Sequence, residues 1–498
     1  MSFILRAPTV RRHWQIRLGS AGLFLWGCGV TLFAQADTHR FEQSAPLAVP
    51  APVTNTAPVE TDPEVEEAVQ DNALRQLSGQ ELRDHPRLMA QVIEQLIKQR
   101  QWALLPAMLA DYEAHQEADP HLVLYAKGAL YRQQKNYPLA TGAFQALLDL
   151  KPELTYVRLD LAMMQVEDKR YGDAIKTLAQ LVQHAQTPPP IKQLAQNQLA
   201  QLQKLYAVEF TVSGNFTRND NVNQASAERT IEFAGLEFVK NPESLPKTGH
   251  GFMYGLGVRK MLPLAGNHGL SAGLRYSGIH YWDQQDYSES TLRLNPAYHY
   301  QTHNQWFRAG PVYEKNWLGG SQYGSRVGAQ AEWGRQILPK HYLIPHAEYT
   351  HKRYDSPALN RYEGDSYRAG LMWVHQLKPG TAISAGGSYQ QDVLNEKAES
   401  SKTLALRLGG SYRTKGGWST QVSLHVGERN FDAMHPLFGM TRRDKELIGS
   451  VGIWHRKLRV MKITPKLVYR FSDIRSNIPA LYSRQSGGWM VEVADVVF

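Results

Sequence analysis

The feature of this sequence that most constrains its fold is an alternation of apolar and polar side chains that runs from residue 206 to residue 498. Near its start, Val208, Phe210 and Val212 are separated by single polar residues. Side chains point to alternate faces of a β-strand, so a period of two predicts strands with one apolar face. We count fourteen such segments, which begin near Ala207, Gly251, His268, Tyr287, Gln305, Tyr323, His341, Asp365, Thr381, Lys402, Trp418, Arg442, Arg459 and Gln485.

The gaps between these segments alternate in length. Short gaps, such as residues 339–340 and 457–458, alternate with long ones, such as 355–364 and 430–441. Short turns at one end and long loops at the other are typical of bacterial outer-membrane barrels. We therefore predict a 14-stranded antiparallel transmembrane β-barrel over residues 206–498, in contact with outer-membrane lipid. The alternative is a large soluble β-sandwich, but seven of the eight tryptophans in this region lie near strand ends, as in aromatic girdles.

The last predicted strand ends on an aromatic residue. It runs from Gly488 to Phe498 and contains Trp489. Such an ending is similar to the C-terminal signal that the barrel-assembly machinery recognises, although Glu492 departs from the apolar alternation. We expect Trp489 and Phe498 to carry this signal, which would make the assembly machinery a partner of the chain.

A different pattern occupies residues 66–205, which are rich in Ala, Leu, Gln and Glu and show a 34-residue period. The positions that match a tetratricopeptide repeat (TPR) are Gly128, Tyr131, Ala140, Phe144 and Pro152, with a weaker copy at Ala162, Ala174 and Leu178. Small residues at these spacings let paired helices approach closely. The pattern predicts an N-terminal TPR-like α-solenoid, with a generic helical bundle as the alternative. The whole chain is thus predicted to be an α + β multidomain protein.

A TPR solenoid has a concave groove, lined by the first helix of each pair, that suits extended protein segments. Counting along the two repeats places five residues on this surface: Tyr125, Arg132, Tyr156, Met163 and Glu167. We predict that they contact a client protein. The alternative for each is that it packs against the neighbouring helix.

The first 36 residues have the pattern of a secretory signal peptide. Four arginines precede an apolar run over residues 18–33, and small residues at −3 and −1 follow it. We predict cleavage between Ala36 and Asp37; the alternatives are an uncleaved anchor helix and a lipoprotein-type cleavage at Cys28. Residues 37–65 are rich in Pro, Ala and Thr and predict a disordered tether. The helical region would then lie in the periplasm.

The sequence shows no convincing catalytic, cofactor or metal site. Cys28 is the only cysteine, so a mature chain would lack disulfides, thiol nucleophiles and cysteine metal sites. The histidine pairs 299/303 and 346/351 have spacings that do not bring two ligands together on a strand. Without a recognisable triad, cofactor motif or basic cluster, we predict no enzyme, no cofactor, no metal and no nucleic-acid partner. A hydrolase embedded in the barrel is a remote alternative.

The domain order and two local stretches resemble a known family. The stretches are residues 216–223, FTRNDNVN, and residues 427–432, GERNFD. With a signal peptide, a Pro-rich tether, TPR-like helices and a fourteen-strand barrel, the chain resembles the surface lipoprotein assembly modulator (Slam) family. The resemblance implies a translocon that displays surface lipoproteins or secretes haem-binding proteins. The helical domain would engage the client in the periplasm, and the barrel would be the conduit.

An exporter of polysaccharide is the main alternative, because such proteins also join TPR repeats to a barrel. A lumen dominated by one sign of charge would favour it. Here Arg293, Glu314 and Arg326 show that both signs are mixed on the predicted strands, which favours protein export. Either reading places the chain in the outer membrane, with its N-terminal domain in the periplasm.

Overall fold

The computed structural model describes residues 85–233, 235–378, 380–458, 464–493 and 496–497. The predicted signal peptide (1–36) with Ala36 and Asp37, the predicted tether (37–65) and Phe498 lie outside the described residues. In the described part of the chain, no helix combines the length and apolar character that a membrane-spanning helix needs.

Within these residues, seven helices precede the barrel. They are α1 Pro86–Lys98, α2 Leu105–Glu113, α3 Pro120–Gln133, α4 Tyr137–Leu150, α5 Thr155–Glu167, α6 Tyr171–Gln183 and α7 Pro189–Leu205. Five of them have a proline in the first turn. The N–H groups of the first turn have no partner within the helix, so the N–H that proline lacks is not missed there. Equivalent turns between paired helices contain Arg100, Lys135 and Lys169, each with a positive φ of 56–65°. This left-handed residue ends one helix and lets the chain reverse, so the turn itself repeats.

The helices pack as the TPR spacing predicts. Gly128 on α3 faces Phe144 on α4 so closely that a Cβ atom at Gly128 would lie 2.7 Å from the ring. Phe144 is 1 % exposed, and Ala162 and Leu178 of the next repeat are fully buried. The prediction of a TPR-like solenoid is therefore confirmed.

The barrel has fourteen strands, two of them interrupted. They are β1 Glu209–Asn219, β2 Gly249–Pro263, β3 His268–Tyr281, β4 Glu289–Leu294 with Ala297–Gln301, β5 Gln305–Leu318, β6 Ser321–Leu338, β7 His341–Tyr354, β8 Gly364–Lys378, β9 Thr381–Leu394, β10 Ser401–Arg413, β11 Trp418–Met434, β12 Thr441–His455, β13 Pro465–Ser476 and β14 Arg484–Val493 with Val496–Val497. Each strand pairs antiparallel with the next, and β14 pairs with β1. The prediction of a closed 14-stranded antiparallel barrel is confirmed.

Alternation along each strand separates a lipid-facing wall from the lumen. On β10, Leu404, Leu406 and Leu408 are 66 %, 62 % and 55 % exposed, whereas the intervening Thr403 and Ala405 are buried. A row of exposed leucines is costly in water but suits contact with lipid. The outer surface of the barrel is thus apolar, and the shielded side chains of the other face point into the lumen.

The two ends of the barrel differ. At one end, long loops fold over the strands and contain the hairpin Thr230–Phe233 with Leu236–Val239 and the one-turn helix Pro479–Tyr482. At the other end, short turns face the helices α4 to α6. Bacterial barrels have short turns on the periplasmic side and long loops outside, so the short-turn end, which the helical domain contacts, is the inner one and the loops form the outer end.

Candidate functional site

The predicted groove residues come together on two helices. Helices α3 and α5 are the first helices of consecutive repeats, and the hydroxyl of Tyr125 donates a hydrogen bond to Asp160 Oδ2 over 3.1 Å. The rings of Tyr125 and Tyr156 meet edge to face, 5.9 Å between centroids. Tyr125 also contacts Phe144, so it packs on the neighbouring helix as well as lining the groove. Tyr156 is 50 % exposed and presents the accessible ring of this surface.

An ion pair links the same two helices further along. Arg132 donates to both carboxylate oxygens of Glu167, with distances of 2.6 Å and 3.1 Å, and to Asp160 Oδ1 over 3.3 Å. Two parallel bonds between a guanidinium and a carboxylate fix both side chains in orientation as well as in distance. With one cation and two carboxylates, the cluster carries a net negative charge when all three groups are ionised.

Asp160 contacts two of the predicted groove residues and was not among those singled out from the sequence. It lies on α5 four residues after Tyr156 and seven before Glu167, which places all three on one helical face together with the half-buried Met163. That spacing was the available signal. Burial raises the pKa of Asp160, although Arg132 and Tyr125 oppose this effect. Burial lowers the pKa of Arg132, but its bonds to Glu167 outweigh this and raise it overall.

Inside the barrel, the outer half of the lumen is filled by buried ion pairs. Lys352 on β7 lies 2.9 Å from Asp392 on β9, and their side chains are only 7 % and 1 % exposed. Further inward-facing pairs at this level are Arg429 with Glu446, Arg442 with Asp444, and both Arg293 and Arg326 with Glu314. Charged side chains lining an open aqueous bore would be exposed, so this level of the lumen is closed.

Exposure varies along the rest of the lumen. At the inner rim, Arg259 on β2 pairs with Glu209 on β1, and their side chains are 56 % and 31 % exposed. Arg368 and Arg407 also face the lumen at partial exposure. By contrast, Ile344 on β7 and Val374 on β8 face the lumen nearer the inner rim and are buried.

The loops at the outer end are fastened to each other. Asn221 in the first long loop donates to the backbone oxygen of Gln485, 3.1 Å away, and Ser226 donates to that of Pro479 over 2.8 Å. In the last two long loops, His435 Nε2 lies 2.9 Å from the hydroxyl of Tyr482, which is 1 % exposed. Since the first loop follows β1 and the last precedes β14, these bonds span the line where the barrel closes.

Comparison with known proteins agrees with this architecture. The family model described as surface lipoprotein assembly modifier matches residues 209–496, and a model of that family's N-terminal TPR repeats matches residues 75–178. The chain belongs to the surface lipoprotein assembly modifier family.

Named relatives align along most of the length of this chain. Surface lipoprotein assembly modifier 1 of Haemophilus influenzae is 23 % identical over 89 % of this chain and 88 % of its own. The surface lipoprotein assembly modifier of Pasteurella multocida is 23 % identical over 81 % and 82 %. The hemophilin secretion modulator of Acinetobacter baumannii is 25 % identical over 82 % and 86 %. The names of these relatives thus refer to surface lipoprotein assembly and to hemophilin secretion.

Family and geometry together show where this chain is located. The lipid-facing leucines of β10 and the closed strand order place the barrel in the outer membrane. The helical domain, at the short-turn end, lies in the periplasm.

Of the two residues predicted to carry the barrel-assembly signal, Trp489 lies within the described residues, and its role stays a prediction. Trp489 on β14 is 60 % exposed on the lipid-facing wall and packs against Tyr469 at 4.9 Å between ring centroids. Trp306 departs from the predicted aromatic girdle, because its ring points into the lumen and its Nε1 donates to Glu332 over 3.2 Å. Among the described residues, no group of three or more His, Cys, Asp and Glu side chains could hold a metal ion.

Proposed function

We propose that this protein is an outer-membrane translocon that exports or displays client proteins, with the helical groove engaging the client and the barrel as its conduit. The client would be a surface lipoprotein or a secreted hemophilin-type protein, as the names of the relatives suggest. Such a role moves a protein and requires no change to a covalent bond.

One observation carries the proposal. The groove ends at Glu167, and the next residue, Asp168, accepts a hydrogen bond from Asn267 in the turn between β2 and β3. A chain bound along Tyr156, Asp160 and Glu167 would therefore be delivered to the inner rim of the barrel. Inside the lumen, the part-exposed charges of Arg259, Arg368 and Arg407 suit a hydrated polypeptide.

The closed outer end fits a conduit that opens for its client. Buried ion pairs contribute little net stability, because the desolvation of both charges offsets most of their attraction. When the lumen opens, each charge recovers water, so separating Lys352 from Asp392 costs less than separating an equally large apolar plug. We infer that the ion pairs keep the lumen closed at rest and are separated during passage.

Folding of the client outside the cell would make its transport directional. The periplasm has no ATP, and no phosphate-binding loop motif appears in the sequence. A client that folds after emerging cannot slide back through the lumen. Export would then fail for a client that cannot fold outside the cell, for example because a core substitution leaves a cavity and destabilises it.

Two further partners belong to this proposal. The lipid-facing Trp489 lies on the strand that closes the barrel, which is where the assembly machinery would act during insertion. The exposed apolar wall would contact outer-membrane lipid once insertion is complete.

The experiment compares a Gram-negative host that lacks this family with the same host producing the full chain. A lipoprotein client and a hemophilin-type client are each co-produced, and their exposure is measured by protease shaving and antibody binding on intact cells. We expect at least tenfold more exposed or released client when the chain is present. Equal exposure without the chain would overturn the proposal, as would a rise in surface glycan with no change in either client.

A further inference from the structure

A small set of residues fastens the helical domain to the barrel, and we call it the joint. On the helical side it comprises Asp168, Gly172 and Asp173, at the end of α5 and the start of α6. On the barrel side it comprises the turn of residues 264–267, between β2 and β3, and His303, between β4 and β5. Because β3 and β4 are neighbours in the sheet, the joint holds the domain at one side of the inner rim.

The side chain of Asn267 is the centre of the hydrogen bonding. Its Nδ2 lies 2.5 Å from the backbone oxygen of Asp168, 3.4 Å from the Asp168 carboxylate and 2.8 Å from the backbone oxygen of Gln301. One amide group therefore connects the helical domain to two neighbouring barrel strands. Beside it, the backbone N–H of Gly266 donates to Asp173 Oδ2 over 3.1 Å.

The helical side of the joint is itself held in place. Arg170 donates from both Nε and Nη2 to Asp173 Oδ2, at 2.9 Å and 2.7 Å. Across the joint, the ring of Tyr137, at the start of α4, meets the ring of His303 edge to face, 5.0 Å between centroids. Asp168 is only 7 % exposed in this arrangement. Arg170 thus orients the Asp173 carboxylate toward Gly266, and Tyr137 adds a ring contact to the hydrogen bonds.

Gly172 shows how close the two domains come. A Cβ atom at this position would lie 2.1 Å from the backbone oxygen of Leu264, a distance no side chain can accept. Glycine within a helix costs about 1 kcal/mol relative to alanine, so Gly172 lowers the stability of α6. Gly142 on α4 offers the comparison, since a Cβ atom there meets nothing within 4 Å.

We propose that the joint is a positioning device: it holds the Arg132–Glu167 end of the groove at the inner mouth of the lumen, and the docked arrangement is the one that works during export. This inference rests on the proposed function, because a docked groove matters only if the groove binds a client. Gly172 and Asn267 are its positioning residues, and neither is expected to touch the client.

The experiment separates docking from client binding with a pair of matched variants. Gly172→Leu should force the joint apart, whereas Gly142→Leu adds the same side chain to a helix without meeting a neighbour. Docking is measured in intact outer membranes by disulfide formation in an Asp168→Cys/Asn267→Cys chain that also carries Cys28→Ala. Client capture is measured by co-purification, and barrel folding by heat-dependent gel mobility.

We expect Gly172→Leu to lower both disulfide formation and client display at least tenfold while client capture stays within twofold. Gly142→Leu should leave all three readouts within twofold of the parent chain. The cysteine substitutions remove the hydrogen bonds of Asn267, and the disulfide replaces them with a covalent link. Once it has formed, display should therefore stay within twofold of the parent chain.

Two results would overturn the inference. One is normal display by Gly172→Leu despite lost disulfide formation; the other is loss of display when the disulfide locks the joint, which would mean that the domain must leave the rim. Failure of the proposed function looks different: the parent chain would capture no client, while the disulfide still formed and still depended on Gly172.

Discussion

Arg132 on α3 and Glu167 on α5 are joined by two hydrogen bonds of 2.6 Å and 3.1 Å between residues that lie 35 positions apart. The pair sets the spacing between two consecutive repeats at the end of the groove nearest the barrel. It also neutralises the arginine, which would otherwise attract an acidic client segment. The groove is therefore a mildly acidic surface with an exposed tyrosine, built on a fixed scaffold.

The first prediction concerns that scaffold. Replacing Arg132 by alanine should destabilise the helical domain by about 1–2 kcal/mol, because it leaves Glu167 and the more buried Asp160 without their cation. A double-mutant cycle with Glu167→Gln, measured by chemical denaturation of the full chain, should show a coupling energy of about 1 kcal/mol. Additive effects of the two substitutions would show that the pair does not stabilise the repeat packing.

The second prediction concerns the accessible ring. Tyr156→Ala should weaken client capture about tenfold, equivalent to about 1.4 kcal/mol, because an exposed aromatic at the centre of a groove is a typical binding anchor. Its effect on stability should be small, since half of the side chain is already in solvent. Leu139→Ala on α4 is the control, because Leu139 is also 50 % exposed but lies on a second helix of a repeat. Equal loss of capture in both variants would argue against the groove.

The sequence was sufficient for the parts of this structure that depend on local periodicity. The first strand was predicted to begin near Ala207 and begins at Glu209, and the seventh begins at His341 as predicted. Strands of this barrel alternate strictly between lipid and lumen, so a period of two is visible in each one separately. The same holds for Gly128 and Phe144, which meet inside a single repeat.

Contacts between distant segments could not be predicted in the same way. Lys352 and Asp392 lie on β7 and β9 with β8 between them, so their pairing depends on the register of two successive strand pairs. Asp168 and Asn267 meet only because the solenoid docks onto one side of the rim. Neither the residue types nor their spacing predicts such a contact, because each of these polar residues is equally common on a solvent-exposed surface.

The third prediction concerns the closed lumen. Asp392→Asn should leave Lys352 buried without its counter-charge, which costs about 3–5 kcal/mol and favours the open lumen. We expect more frequent and larger current steps in planar lipid bilayers than for the parent chain. Glu209→Gln, which removes a carboxylate from the exposed inner pair, should leave the current unchanged.

A second variant tests whether closure depends on charge or on filled volume. Lys352→Met/Asp392→Leu replaces the pair with apolar side chains of similar size, and such replacements are often neutral or stabilising. The lumen of the double variant should therefore be closed, and the variant should conduct no more than the parent chain. It should export less client, because apolar side chains gain no hydration when they separate. Persistent high current in the double variant would contradict the proposed role of the ion pair.

The fourth prediction concerns pH at the outer loops. Burial, together with the nearby Arg442 and Arg361, lowers the pKa of His435 from its usual 6.5 to about 4. In the closed loops its Nδ1 accepts a hydrogen bond from the backbone of Leu437, and its Nε2 is paired with the Tyr482 hydroxyl, so the ring is neutral. Once the loops open, the same ring regains a pKa near 6.5 and binds a proton more readily.

The open loops therefore take up a proton between pH 6.5 and 4 while the closed loops do not, so closure loses stability as the pH falls through that window. Labelling by a membrane-impermeant maleimide would measure this in an Ile478→Cys chain, because Ile478 is 3 % exposed when the loops are closed. Leu437→Cys, at a site 48 % exposed, corrects for the intrinsic pH dependence of the thiol. The ratio of labelling at 478 to labelling at 437 should rise several-fold from pH 7.5 to 5, and His435→Gln should abolish the rise. A ratio that rises equally in the His435→Gln chain would assign the acid response to another group.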